Sequence, residues 1–173
     1  MHRDQAFAKM EFRPISRKNF NDFRRIYQQG IATGMATFET ETPSFEKWDA
    51  SRKPFGRIAL YDHGEMLGWA TLSPVSDRCV YRGVAEVSVY VSSENRGKKY
   101  GELLLKELIR ISEDNEIWTL NAAMMRENTA SLKLHEKCGF RVVGYLEKIG
   151  RLNGIWRDNI LMERRSKIIG IKS

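Results

Sequence analysis

The chain predicts a mixed α/β (α+β) fold, one sheet with helices packed on its faces. Segments with strand and helix patterning alternate along it, and no repeat, low-complexity tract or linker breaks the series. Its 173 residues fit a single domain, and 42% hydrophobic with 29% charged residues and four prolines is the composition of a globular protein.

Taken in order, Glu11–Ile15 (EFRPI) reads as an opening strand, and Ser16 caps a helix whose apolar positions Phe20, Phe23, Ile26 and Tyr27 recur at helical spacing. A Gly- and Thr-rich loop, GIATGMATFETETP, occupies 30–43. A short helix then starts from Ser44, runs through Phe45 and Trp48, and stops before Pro54. RIALY and MLGWATLSP, split by the turn DHGE at 62–65, form a hairpin. AEVSVYVSS alternates polar and apolar residues as a strand does. It passes through ENRGKKYG into a helix from Gly101 to about Ser112, with Leu104, Leu105, Leu108, Ile109 and Ile111 on one face. EIWTLNAAM is the next strand, ENTASLKLHEKCG a helix closed by Gly139, and FRVVGYLEKIG with GIWRDNILMER a last pair of strands. Beyond it, Arg164, Arg165, Lys167 and Lys172 read as a solvated basic tail, 164–173.

Composition excludes several classes. No apolar run approaches the roughly 18 residues of a membrane span, and the first residues, MHRDQAFAKMEF, lack the apolar core of a signal peptide, so a cytoplasmic protein is expected. Cys79 and Cys138 are too few for a disulfide framework and share no metal-ligand spacing with His2, His63 or His135, so no metal site is expected. A net charge of +7 favours anionic partners without choosing among nucleic acid, acidic surfaces and phosphorylated small molecules.

The first functional signal is the junction after AEVSVYVSS. Residues Arg96, Gly97, Lys98, Lys99, Tyr100, Gly101 and Glu102 lie where a strand hands over to a helix, whose first N–H groups have no partner inside the helix. The helix dipole and three cations suit a diphosphate there, although an Arg-Gly-x-x-x-Gly segment taken alone reads first as a basic surface turn with a helix start. The segment resembles the acetyl-CoA loop of the GNAT N-acetyltransferases, with Arg96 and Gly101 at its outer positions and Lys99 where the family places an inner glycine. A second stretch, ENTASLKLHEKCGF, resembles the family's other signature through Asn128, Ser131, Gly139 and Phe140, with His135 where many members carry tyrosine. His135, IYQQGIATGMATFETETPSFEKW, AEVSVYV and GIWRDNILME together resemble the phosphinothricin and methionine sulfone or sulfoximine acetyltransferases over about residues 11–163.

The resemblance implies a twisted, mostly antiparallel sheet of about six or seven strands with helices on both faces. It also implies an enzyme that moves the acetyl group of acetyl-CoA, without a metal, to the primary amine of a small amino acid analogue. An amine attacks a thioester only as the free base, so a carboxylate is needed to take its proton. The resemblance puts that base at Glu86, where a solvated strand-end side chain is the alternative. Backbone N–H groups of Val89, Tyr90 and Val91 would stabilise the thioester oxygen. Asn128 and Ser131 would meet the pantetheine arm, and His135 either protonates the departing thiolate or is a structural histidine. Acceptor contacts are expected from Phe38, flanked by Thr37 and Glu39, from Val87 and Ser88 beside Glu86, and from Arg78 or Arg82, the latter pair as a carboxylate clamp or as solvated loop residues. A homodimer is expected by resemblance alone, and neither nucleic acid nor membrane is an expected partner. Competing readings are acetylation of protein N-termini, lysines or polyamines, a CoA-binding module without catalysis, and a nucleic-acid binder driven by charge.

Overall fold

The computed structural model describes residues 10–172, so His2 and most of the segment read for signal-peptide character lie outside the described residues. The seven strands are β1 (Glu11–Pro14), β2 (Ile58–Asp62), β3 (Glu65–Pro74), β4 (Val84–Val91), β5 (Thr119–Met125), β6 (Arg141–Leu152) and β7 (Ile155–Arg165). The α-helices are α1 (Phe20–Ala32), α2 (Phe45–Ser51), α3 (Tyr100–Asp114) and α4 (Thr129–Lys137). One sheet holds all the strands in the order β1-β2-β3-β4-β5-β7-β6. Every neighbouring pair is antiparallel except β4 with β5, the pair that α3 connects.

Each side of the sheet has its own core. On one, α1 and α2 bury Phe23, Ile26, Tyr27 and Trp48 against Ala59, Tyr61 and Trp69. The Phe23 and Trp69 ring centroids are 4.3 Å apart, and the Trp69 indole N–H donates to the Phe23 carbonyl at 3.2 Å. On the other side, Leu104, Leu105 and Leu108 of α3 pack on Leu60, Leu72, Val87 and Leu120. Alternation along β4 sorts its side chains between these cores, Val87 to the α3 side and Tyr90 to the α1 side. The Asp62–Glu65 hairpin turns through His63 at φ +48° and Gly64 at φ +81°, the left-handed pair that matches strand twist.

Two boundaries differ from the sequence expectation. Helix α1 continues through Gly30, where the sequence predicts the start of a loop. A Cβ on Gly30 would lie 2.4 Å from Tyr90 Cε1, so the glycine is in the helix for close packing and not to end it. At the C-terminus, Arg164 and Arg165 belong to β7 and not to a solvated tail. Arg164 pairs with Glu113 at 3.0 Å, Arg165 donates to the carbonyls of Trp118, Ser166, Ile169 and Gly170, and Ser166 is buried. No described helix is long and apolar enough to cross a membrane.

Candidate active site

The parallel pairing of β4 with β5 lasts only from Val84 to Glu86 against Thr119 to Asn121. Both strands run on, β4 still paired with β3 to Val91 and β5 with β7 to Met125. The sheet therefore opens as a wedge. The Ser92 N–H donates to the Leu67 carbonyl at 2.8 Å. With the β3–β4 register, this turns the main-chain groups of Tyr90 and Ser88 toward β3 and those of Val89 and Val91 into the wedge. On β5 the Arg126 N–H donates to the Asp158 carbonyl at 3.0 Å, which leaves Ala123 and Met125 facing the opening. Of the segment expected to hold an oxyanion, Val89 and Val91 present free N–H groups. The Tyr90 N–H is committed to β3, so Tyr90 drops out as a main-chain donor.

At the wide end of the wedge stands the N-terminus of α3. Its first helical bond is Leu103 N–H to the Lys99 carbonyl at 3.2 Å, and no side chain caps it, so the N–H groups of Tyr100, Gly101 and Glu102 are left for a ligand. Gly97 (φ +76°) and Lys99 (φ +66°) shape the approach. The position of the missing glycine does require the left-handed region, and Lys99 adopts it with its side chain exposed. The Lys98 ammonium donates to Asn95 Oδ1 at 3.1 Å. Glu102, an acid beside an anion site, is tied to Lys106 at 2.6 Å and Lys137 at 2.7 Å, and the two ammonium groups hold its carboxyl down at about 2.

A cavity of about 830 Å³ joins this end to the wedge and to the α1 side of the sheet. It gathers Phe38, Glu86, Val87, Ser88, Val89, Tyr90, Val91, Arg96, Gly97, Lys99, Tyr100, Gly101, Glu102, Asn128, Ser131 and His135, most of the residues the sequence singled out. Glu86 is exposed to this cavity, yet the surrounding walls remove enough water to raise its carboxyl pKa, with the nearby Arg52 charge opposing. Burial likewise raises the Tyr90 phenol far above its ordinary range, and its hydroxyl donates to the Ala36 carbonyl at 3.4 Å. Phe38 lies across Gly150, where a Cβ would come within 2.8 Å of its ring.

Asn128 caps α4, its Oδ1 accepting from the Ser131 N–H at 3.2 Å, which leaves its NH₂ to donate. His135 is buried, and burial pushes its imidazole pKa down. Its Nδ1 lies 2.7 Å from the Ser131 carbonyl, so the neutral ring spends its N–H there and offers Nε2 as an acceptor. Of the two roles open to His135 from sequence, proton donor or structural histidine, this bonded arrangement suits the second.

Arg78 and Arg82 do not line the cavity. They flank a 3₁₀ turn after β3, where Arg78 lies over the Tyr81 ring and Arg82 over Trp118. The cavity wall near Glu86 is lined instead by Arg52, with Ser73 and Asn159. Sequence reasoning missed all three because each comes from a different element and none belongs to a motif. No group of three or more possible metal ligands occurs among the described residues. Cys138 is buried and Cys79 exposed, both free.

Residues 19–140 match the model of the acetyltransferase (GNAT) family. The chain is 35% identical over 145 residues to the L-methionine sulfoximine/L-methionine sulfone acetyltransferase of Pseudomonas aeruginosa, covering 80% of this chain and 84% of that one. It is 33% identical over 148 residues to the phosphinothricin N-acetyltransferase of Alcaligenes faecalis, covering 80% and 74%. Among solved structures, a GNAT superfamily phosphinothricin acetyltransferase from Sinorhizobium meliloti in complex with AcCoA superimposes with a TM-score of 0.83 at 25% identity, covering 95% of this chain and 92% of that one.

Proposed function

Because this chain belongs to the GNAT acetyltransferase family and is an acetyl-CoA-dependent acetyltransferase, we propose that its acceptor is the primary amine of a small amino acid analogue. Relatives named for phosphinothricin and for methionine sulfoximine or sulfone support that acceptor class. The observation that carries the reading is one cavity shared by the Glu86 carboxylate and the unpaired main-chain groups of the wedge.

The chain's own groups suit coenzyme A. The free N–H groups at the start of α3, with Arg96 and Lys99 beside them, would hold the diphosphate. Val89, Val91, Ala123 and Met125 offer an edge that an amide-containing pantetheine arm completes as another strand would, and the Asn128 NH₂ adds a donor from α4. Acetyl-CoA supplies an acyl carbon already activated as a thioester. Glu86 takes the proton from the acceptor ammonium, directly or through water, and its raised pKa brings it nearer to the amine it serves. The Val89 or Val91 N–H donates to the carbonyl oxygen as negative charge grows there. A thiol of pKa about 8.5 leaves without an acid, and a neutral His135 accepts a hydrogen bond at the site instead of supplying a proton.

The reading includes a cytoplasmic homodimer and no nucleic acid or membrane partner. Val142, Val143, Tyr145, Ile149, Ile155 and Trp156 leave the β6–β7 hairpin with an exposed apolar surface that a second copy would cover. Light scattering should then give about twice the 20.1 kDa chain mass. The deciding experiment on function is thiol release from acetyl-CoA with a panel of amino acids, sulfoximines, peptides and polyamines. Turnover confined to amino acid analogues supports the reading, and turnover confined to peptides or polyamines overturns it.

A further inference from the structure

Arg52 leaves the end of α2 in an extended conformation and crosses β3 to reach the cavity. Its Nε donates to Thr71 Oγ1 at 3.3 Å and its Nη1 to Ser51 Oγ at 2.9 Å, both neutral acceptors. Among the described residues no carboxylate lies within 4.0 Å of it, whereas Glu102 at the other end of the cavity is paired with two ammonium groups. Both N–H groups of Nη2 and one of Nη1 are uncommitted, the set a carboxylate engages side by side. Thr71 is fully buried, so the anchor is fixed. It pairs with Ser88 as Ser73 pairs with Glu86, two steps along one face of the sheet.

A half-buried guanidinium without an anion is costly, and burial lowers the Arg52 pKa. Glu86 is near enough to oppose that shift, yet the two form no ion pair with each other. One wall of the cavity thus carries a separated negative and positive charge. An α-amino acid carries the complementary ammonium and carboxylate on one carbon. A polyamine has no carboxylate, and a peptide N-terminus has an amide in its place.

We propose that Arg52 binds the α-carboxylate of the acceptor while Glu86 receives the ammonium, so that the site selects free α-amino acids. This assigns to Arg52 the role that sequence gave to Arg78 or Arg82. It rests on the acetyl-transfer reading above and adds the residue that fixes the acceptor class.

The test compares L-methionine sulfone with its methyl ester, which keeps the amine and removes the negative charge. Wild type should favour the acid in kcat/KM by about ten- to a hundredfold, the value of a hydrogen bond to a charged group. Arg52→Gln should raise KM for the acid by a similar factor, leave KM for the ester unchanged, and bind coenzyme A as wild type does. A merely structural role would lower both substrates together. An acid-to-ester ratio of one in wild type, or a ratio unmoved in an active Arg52→Gln, overturns the proposal and leaves acetyl transfer standing. If Arg52→Gln no longer binds coenzyme A, Arg52→Lys decides: a reduced ratio supports the assignment and an unchanged one overturns it. Absence of thiol release with every amine in wild type would overturn both readings.

Discussion

The two ends of the cavity are built from different materials. At the α3 end the groups open to a ligand are chiefly main-chain N–H donors, positioned by a helix start and by strands that part company. At the α1 end they are side chains, Glu86, Arg52 and Phe38, brought together from residues far apart in sequence. Main-chain donors survive most substitutions, since only the backbone path must be kept. A side-chain pocket is redefined by each residue that changes. The coenzyme end should therefore tolerate sequence change that the acceptor end does not.

The sharpest break of that contrast lies at the acceptor end. Glu86→Gln should lower the rate at saturating amine by about a hundred- to ten-thousandfold. Steady-state kinetics should also show the variant losing the rise in rate that wild type gains as Glu86 deprotonates, at a pH above that of an ordinary glutamate. Coenzyme A binding, read by calorimetry, should not change. Because its folded pKa is raised, Glu86 costs stability as pH rises past its unfolded value, so Glu86→Gln should melt higher than wild type at neutral pH and equally at low pH.

Gly150→Ala is next. Its Cβ would come within 2.8 Å of Phe38, and the displaced ring should raise the acceptor KM about tenfold with little effect on coenzyme affinity. At the opposite end Lys99→Gly relieves a left-handed lysine at φ +66°. Urea unfolding should show a gain of about 1 kcal/mol, and coenzyme A affinity should hold within a few-fold. A large loss of affinity would mean that the Lys99 side chain, and not the loop path, holds the anion.

The smallest effect concerns His135. Its folded pKa is lowered, so its contribution is present above the unfolded value of about 6.5 and is lost as pH falls below it. The melting temperature of wild type should drop more between pH 7 and pH 5 than that of His135→Gln.

The same contrast explains what could be read from sequence. Strand, glycine-bearing loop and helix follow one another directly from Val84 to Asp114, so the loop at the start of α3 lies within one continuous stretch and its pattern is local. Periodicity likewise placed every strand and helix near its observed position. The errors are tertiary. Gly30 looked like a helix end because its reason for being glycine is the Tyr90 ring, sixty residues away in sequence. Arg82 lies close to Glu86 in sequence but stacks on Trp118, while Arg52 reaches the cavity across β3. No spacing rule connects residues 38, 52, 86 and 159. The His135 tautomer depends on one carbonyl a helical turn away, which the residue type cannot reveal.

The short β4–β5 pairing has a consequence for folding as well as for binding. Three registered residue pairs join a four-stranded plate, β1 to β4, to a three-stranded one, β5 to β7. A molecule seated between the plates supplies the seam that the polypeptide leaves unstitched. Ligand at a hundred times its Kd adds about 2.7 kcal/mol to the stability of any protein that binds it only when folded. If coenzyme A sits in the wedge as proposed, that increment falls on the joint with the fewest registered pairs, and its supply adds to how firmly the two plates are held together.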